Sequence, residues 1–253
     1  MFDLVDESGI DLKNYGYKVT KENRFGVSTA FLVVESEKKS KSLGMKKGEY
    51  YIINCPNLLN KGYECYLYIT EIVKRKLKKV LKDEKIRKTA KILLVGLGNP
   101  EIISDRLGKE VFDGIEIDAL SKTNRFFKFC PNIFFSTGID TKDMVKMFAK
   151  HLKADLIFLI DSLTTSSLSR LGTSFQITTS GITPGSGLNR FGSEISFDSI
   201  GVPCISIGVP FMIFSNAINE EDKNDIILSP KDIKENVEIC GYILSKAISE
   251  VIK

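Results

Sequence analysis

Two unbroken apolar runs, Ile92–Val95 (ILLV) and Leu156–Ile160 (LIFLI), constrain this chain more than any other feature. A strand with one face in water alternates polar and apolar side chains. One that is apolar throughout must be covered on both faces, as in parallel sheets flanked by helices. Helical periodicity appears between such runs. Ile69, Ile72, Val73, Leu77, Val80 and Leu81 recur every three or four residues, and Met144, Val145, Phe148 and Leu152 share one face of Thr141–Leu152. Further strands are expected at Phe31–Val34, Tyr50–Ile53, Ile133–Phe135, Phe175–Ile177 and Cys204–Val209, and a helix from about 230 to 251. The reading is an α/β fold with a mostly parallel sheet flanked by helices and an N-terminal β-containing addition. It is one domain over 1–253, with the addition at 1–60 and the core at 91–253.

Composition removes several chemistries. The single histidine, His151, excludes two-histidine zinc sites and leaves any Ser/His or Cys/His mechanism resting on one residue. Its place after a helix face suits a helix-end cation. Five cysteines, odd in number and without a CxxC, read as reduced thiols of a cytoplasmic protein. A net charge of +4 is too weak to argue for direct nucleic-acid binding. The acidic start Met1–Ile10 lacks the apolar core of a secretion signal, and runs such as Leu156–Ile160 are too short to span a bilayer. A cytoplasmic protein with no membrane partner is expected.

In open α/β sheets the working crevice lies at the carboxyl ends of the strands. Asp105 is expected at the start of a helix that follows strand 92–95, near Ser104 or Asp105 itself, and Asp161 directly after strand 156–160. If those strands are neighbours, both carboxylates face one crevice. Amide hydrolysis needs a base to activate water and an acid to protonate the leaving nitrogen. Two close carboxylates divide that work, because repulsion and burial hold a proton on one of them. Position alone leaves the other reading open, since an Asp after a buried strand is commonly a helix cap or turn residue. The glycine-rich loop Gly181–Gly187 (GITPGSG) is either a structural turn or a set of backbone donors for a scissile carbonyl.

The runs LLVGLGNPEIISDRLGKEVFD (93–113), STGIDTKDMVK (136–146), ADLIFLIDSL (154–163), GITPGSG (181–187) and SIGVPCISIGVP (199–210) together resemble the germination protease family of spore-forming bacteria in order and spacing. SKSLGMKKGEYYIINCP (40–56) and LSPKDI (228–233) extend the resemblance to about residues 26–253. Gly96-Leu97-Gly98-Asn99-Pro100 also resembles the opening of peptidyl-tRNA hydrolases, but the histidine they need downstream is missing between Pro100 and Cys130. As a dinucleotide GxGxxG the same run fails at Glu101.

The germination-protease resemblance implies a phosphorylase/hydrolase-like fold, related to the hydrogenase-maturation peptidases, which hold a metal between related carboxylates. It implies an aspartic-type endopeptidase with Asp105 and Asp161 catalytic; Gly185, Ser186 and Gly187 are the candidate substrate contacts that the reading of the glycine-rich loop as backbone donors would supply. The expected substrates are small acid-soluble spore proteins, cut during germination in the cytoplasm of the forespore or spore core by a homotetramer. The family carries a histidine where this chain has Thr183 and an aspartate where it has Thr179, so neither a metal nor another cofactor is expected. The alternative is a catalytically silent relative that binds spore proteins or a partner without cleaving them.

Overall fold

The structure is a computed structural model and describes residue 4 and residues 12–117, 125–186, 192–218 and 226–253. Its strands are β1 (Lys18–Lys21), β2 (Ser28–Val34), β3 (Gly48–Asn54), β4 (Ile92–Gly96), β5 (Phe126–Phe129), β6 (Leu156–Thr165), β7 (Ser174–Thr178), β8 (Cys204–Phe214) and β9 (Ile227–Leu228). The helices are α1 (Glu37–Leu43), α2 (Tyr63–Asp83), α3 (Leu107–Gly114), α4 (Phe134–Thr137), α5 (Thr141–Leu152), α6 (Phe197–Ile200) and α7 (Ile233–Ile252). All nine strands join one sheet in the order β1-β2-β3-β7-β8-β6-β4-β5, with β9 beside β8.

The two apolar runs lie side by side. β4 pairs in parallel with β5 and β6, and β6 pairs in parallel with β8. Both faces of this half are covered, as the lack of alternation demands. On one face Leu94, Leu156, Phe158, Ile160, Ile205 and Ile207 pack in a cluster with buried side chains of α2, α3 and α7. On the other, Leu93, Val95, Ile157 and Leu159 meet Val145 and Ala149 of α5. Each such side chain contributes roughly 1.5–3 kcal/mol by leaving water.

The N-terminal β-containing segment extends this same sheet. β3 pairs antiparallel with β7, β7 antiparallel with β8, and β2 and β1 complete the edge. The lysine-rich stretch between β2 and β3 is α1. Ser36 caps its start by accepting from Lys39 N, and Gly44 ends it at φ 63°, where a Cβ would be strained.

Two expectations fail locally. Ile133–Phe135 is not a strand: Phe134–Thr137 is the short helix α4, and the strand pairing with β4 is Phe126–Phe129. The intervening Pro131 has no N–H to give a ladder, and Asn132 turns the chain at φ 64° with its own side chain accepting from Ile133 N. The strand expected to stop at Ile160 continues to Thr165. β8 runs alongside it from Asp161↔Gly208 to Thr165↔Ile213, with an irregularity between Leu163 and Thr164. That partner strand satisfies the backbone through the polar stretch.

Among the described residues no helix is long and apolar enough to cross a membrane.

Candidate active site

The chain leaves β4 toward β5 and leaves β6 toward β7 and β8, in opposite directions across the sheet. In such sheets that divergence places the expected crevice at the carboxyl ends of β4 and β6. Both aspartates lie at those strand ends. Asp105 closes a 3-10 turn, Ile103–Asp105, in the loop after β4, and Asp161 lies in β6 one residue beyond the pair Gly96↔Ile160. They are only 8% and 5% exposed, rare burial for carboxylates.

The cap position of α3 is held by Arg106 rather than by Asp105. The Asp105 Oδ2 accepts from the N–H of Asn99 at 2.9 Å, six residues back, which folds the Gly98-Asn99-Pro100 loop around the carboxylate. The first N–H of α3, Leu107 N, instead donates to Ser162 Oγ at 3.3 Å. Ser162 thus ties the helix that follows Asp105 to the strand that carries Asp161. Asp161 itself accepts from Ser162 N at 3.0 Å.

Glycines set the fit of the Asp105 loop. Gly98 has φ +90°, and a Cβ there would overlap the carbonyl of Asp105 and lie 2.8 Å from its Oδ1. A Cβ on Gly96 would overlap the Gly108 carbonyl and meet Cys130 Sγ at 2.7 Å. Strand end and helix start therefore touch backbone to backbone.

The third expected element lies nearby. Reading across β3, β7, β8 and β6, the residues Ile52, Gln176, Gly208 and Asp161 stand in register and share one face. The adjacent row on that face is Tyr50, Thr178, Ser206 and Leu159. Between the apolar cluster under α5 and the one under α1, the sheet is thus paved with small and polar side chains. A cavity of about 100 Å³ lies over this patch, lined by Lys46, Tyr50, Gln176, Thr178, Ser206 and Gly208 and by Gly181, Ile182, Thr183 and Ser186 of the glycine-rich loop, among others. The loop is pinned by paired bonds between Ile182 and Ile195. Gly185 takes φ 74° in its turn, while Gly187 lies outside the described residues. Ser186 thus shares a cavity with the register partner of Asp161, whereas Asp105 and Asp161 are not among the residues lining it.

Lys46 was not anticipated. Its Nζ donates to Thr183 Oγ1 at 3.1 Å and pairs with Glu194 at 3.0 Å. Burial pushes the Tyr50 phenol above its ordinary range, against hydrogen bonds with Ser180, Thr178 and the Lys46 backbone; its O–H donates to the Lys46 carbonyl at 2.8 Å, and it stays a neutral hydroxyl. Gln176, Thr178 and Ser206 were also missed. Their signal was present in Ser174–Thr178, where every second residue is polar in a strand that is buried along its whole length. His151 stands exposed in the last turn of α5 beside Lys150, at the helix end expected of it.

Among the described residues no three His, Cys, Asp or Glu side chains come together to hold a metal ion. Thr179 accepts from Glu49 N, and Thr183 accepts from Lys46. The donor set does not fit a protein-held divalent ion of the kind three-ligand sites carry.

The sequence pattern of the germination proteases matches residues 6–238 of this chain. The germination protease of Caldanaerobacter subterraneus subsp. tengcongensis is 29% identical over 235 residues, covering 88% of this chain and 71% of its own. That of Priestia megaterium is 30% identical over 223 residues, covering 84% of this chain and 60% of its own. A substantial part of each relative therefore has no counterpart here. Among solved structures, the [NiFe] hydrogenase maturation protease HycI of Thermococcus kodakarensis KOD1 is 16% identical with a TM-score of 0.41, covering 64% of this chain and 92% of its own. That likeness is too loose to carry an argument.

Proposed function

This chain belongs to the germination protease family, and from that premise we propose that it is an aspartic-type endopeptidase cleaving small acid-soluble spore proteins with Asp105 and Asp161. One observation carries the reading: two buried carboxylates stand at the carboxyl ends of adjacent parallel strands, inside the segment matched to the family. In the proposed reaction one carboxylate takes a proton from water as its oxygen attacks the scissile carbonyl. The other, protonated, gives its proton to the nitrogen as the C–N bond breaks, and no covalent intermediate forms. The two carboxyls then hold exchanged protonation states and reset through solvent. They act as a coupled pair, described by a joint titration.

Gly185, Ser186 and Gly187 are proposed to contact the substrate backbone or side chains, in line with the cavity that Ser186 lines. The test is direct: purified protein is incubated with a small acid-soluble spore protein and fragments are read by mass. Intact substrate after prolonged incubation would leave only a binding role.

No metal enters this scheme. Cleavage is expected to continue undiminished after dialysis against a strong chelator, measured as initial rate. Loss restored by zinc or nickel would overturn the metal-free assignment. We further propose that the enzyme works in the spore cytoplasm as a homotetramer. Sedimentation should then give about four times the 28.3 kDa chain mass, and a purely monomeric boundary would refute it.

A further inference from the structure

The cavity beneath the 181–186 loop holds a group that the fold itself does not use. Ser206 is 3% exposed, its Oγ is buried, and it has no hydrogen-bond partner among the described residues, although it lines the cavity. A buried hydroxyl left unpaired destabilises the fold. It lies two residues before Gly208, roughly 7 Å along the strand, and Gly208 is the register partner of Asp161. The Leu163 side chain rests where a Cβ on Gly208 would be.

The chemistry of the walls narrows the occupant. Lys46, the one cation among the described residues of the lining, is already paired with Glu194 and bonded to Thr183. The other polar groups are neutral: the Tyr50 phenol, the Gln176 carboxamide and the hydroxyls of Thr178, Thr183, Ser186 and Ser206. A charged group entering here would lose its hydration without gaining an uncommitted counter-charge. At about 100 Å³ the cavity falls well below the roughly 300–1,000 Å³ of pockets that hold whole small molecules. That suits a short side chain.

We infer that this cavity is a substrate subsite for a short uncharged side chain ending in a hydroxyl or carboxamide, with Ser206 as the residue that reads it. The inference rests on the peptidase reading, because its occupant is a residue near the bond held at Asp161. The Ser206 hydroxyl both donates and accepts, so it discriminates serine, threonine or asparagine from alanine.

The experiment uses peptides spanning a cleavage site mapped in small acid-soluble spore protein. Each position within about four residues of the cut is changed in turn to Ala, Ser, Asn and Asp. At one position Ser or Asn is expected to be cut about five- to tenfold more efficiently than Ala, with Asp no better than Ala. In Ser206→Ala that preference collapses while selectivity at the other positions stays unchanged. Melting temperature stays level or rises, because an unpaired hydroxyl has been removed. The inference is overturned if no position shows the preference, as for a cavity that holds only water, if it survives Ser206→Ala, or if Asp is preferred. Failure of the peptidase reading looks different: the wild-type protein leaves every peptide uncut, or Asp161→Asn cuts them.

Discussion

Asp161→Asn is expected to lower the cleavage rate by about 10²–10⁴-fold, the usual worth of one positioned acid or base, with the fold intact. Asn keeps the size of Asp and an oxygen in place of the Oδ1 that accepts from Ser162 N. The backbone on either side is held in ladders by β4 and β8. Only the ability to take or give a proton is lost. Asp105→Asn should behave alike, since its carbonyl oxygen can still accept from Asn99 N. Because the two groups work on one water, the double variant should be scarcely worse than either single one. The measurement is initial rate on spore protein, alongside thermal melting. Either single variant keeping more than about a tenth of wild-type rate would remove that residue from the chemistry.

Gly98→Ala should be the most damaging change of a single methyl group outside the carboxylates. Two costs coincide. At φ +90° an alanine is strained by about 1–3 kcal/mol, and its Cβ would occupy space already taken by the Asp105 carbonyl. Relieving the overlap means moving the 3-10 turn, at about 1–3 kcal/mol more. A loss near 3 kcal/mol is expected in urea unfolding, and cleavage should fall by at least about 10²-fold even in the folded fraction. Gly201→Ala is the control: φ is also positive, at +82°, but nothing lies within 4 Å of its Cβ. Backbone strain acts there without displacement of a carboxylate. Equal activity in the two variants would mean that the Gly98–Asp105 contact does not set the site.

The parts of this fold legible in the sequence are those where one physical signal dominates. β4 and the first half of β6 are apolar throughout, and α5 spans Thr141–Leu152 as its periodicity requires. The second half of β6 was hidden because Asp161-Ser162 and Thr164-Thr165 look like a turn. They are strand only because β8 pairs with them, a long-range fact. The strand expected at Ile133–Phe135 lies instead at Phe126–Phe129, a run equally made of residues common in strands. Neighbouring Pro131 and the left-handed Asn132 decide between them.

The site divides the same way. Asp105 and Asp161 followed from strand ends and resemblance. Lys46, Tyr50, Gln176 and Ser206 reach the cavity through the pairing of β3, β7 and β8, which no local pattern announces.

That pairing also bears on when the site comes into being. Glu49 N and Thr179 Oγ1 are joined across 130 positions of sequence, and the cavity wall at Gly44–Tyr50 faces a floor that ends at Gly208. A chain emerging from the ribosome therefore carries both aspartates before it owns a complete cavity. The N-terminal hairpin must wait for β7 and β8, which follow it in the chain. Completion of the cavity is thereby withheld until the chain has been made through Gly208.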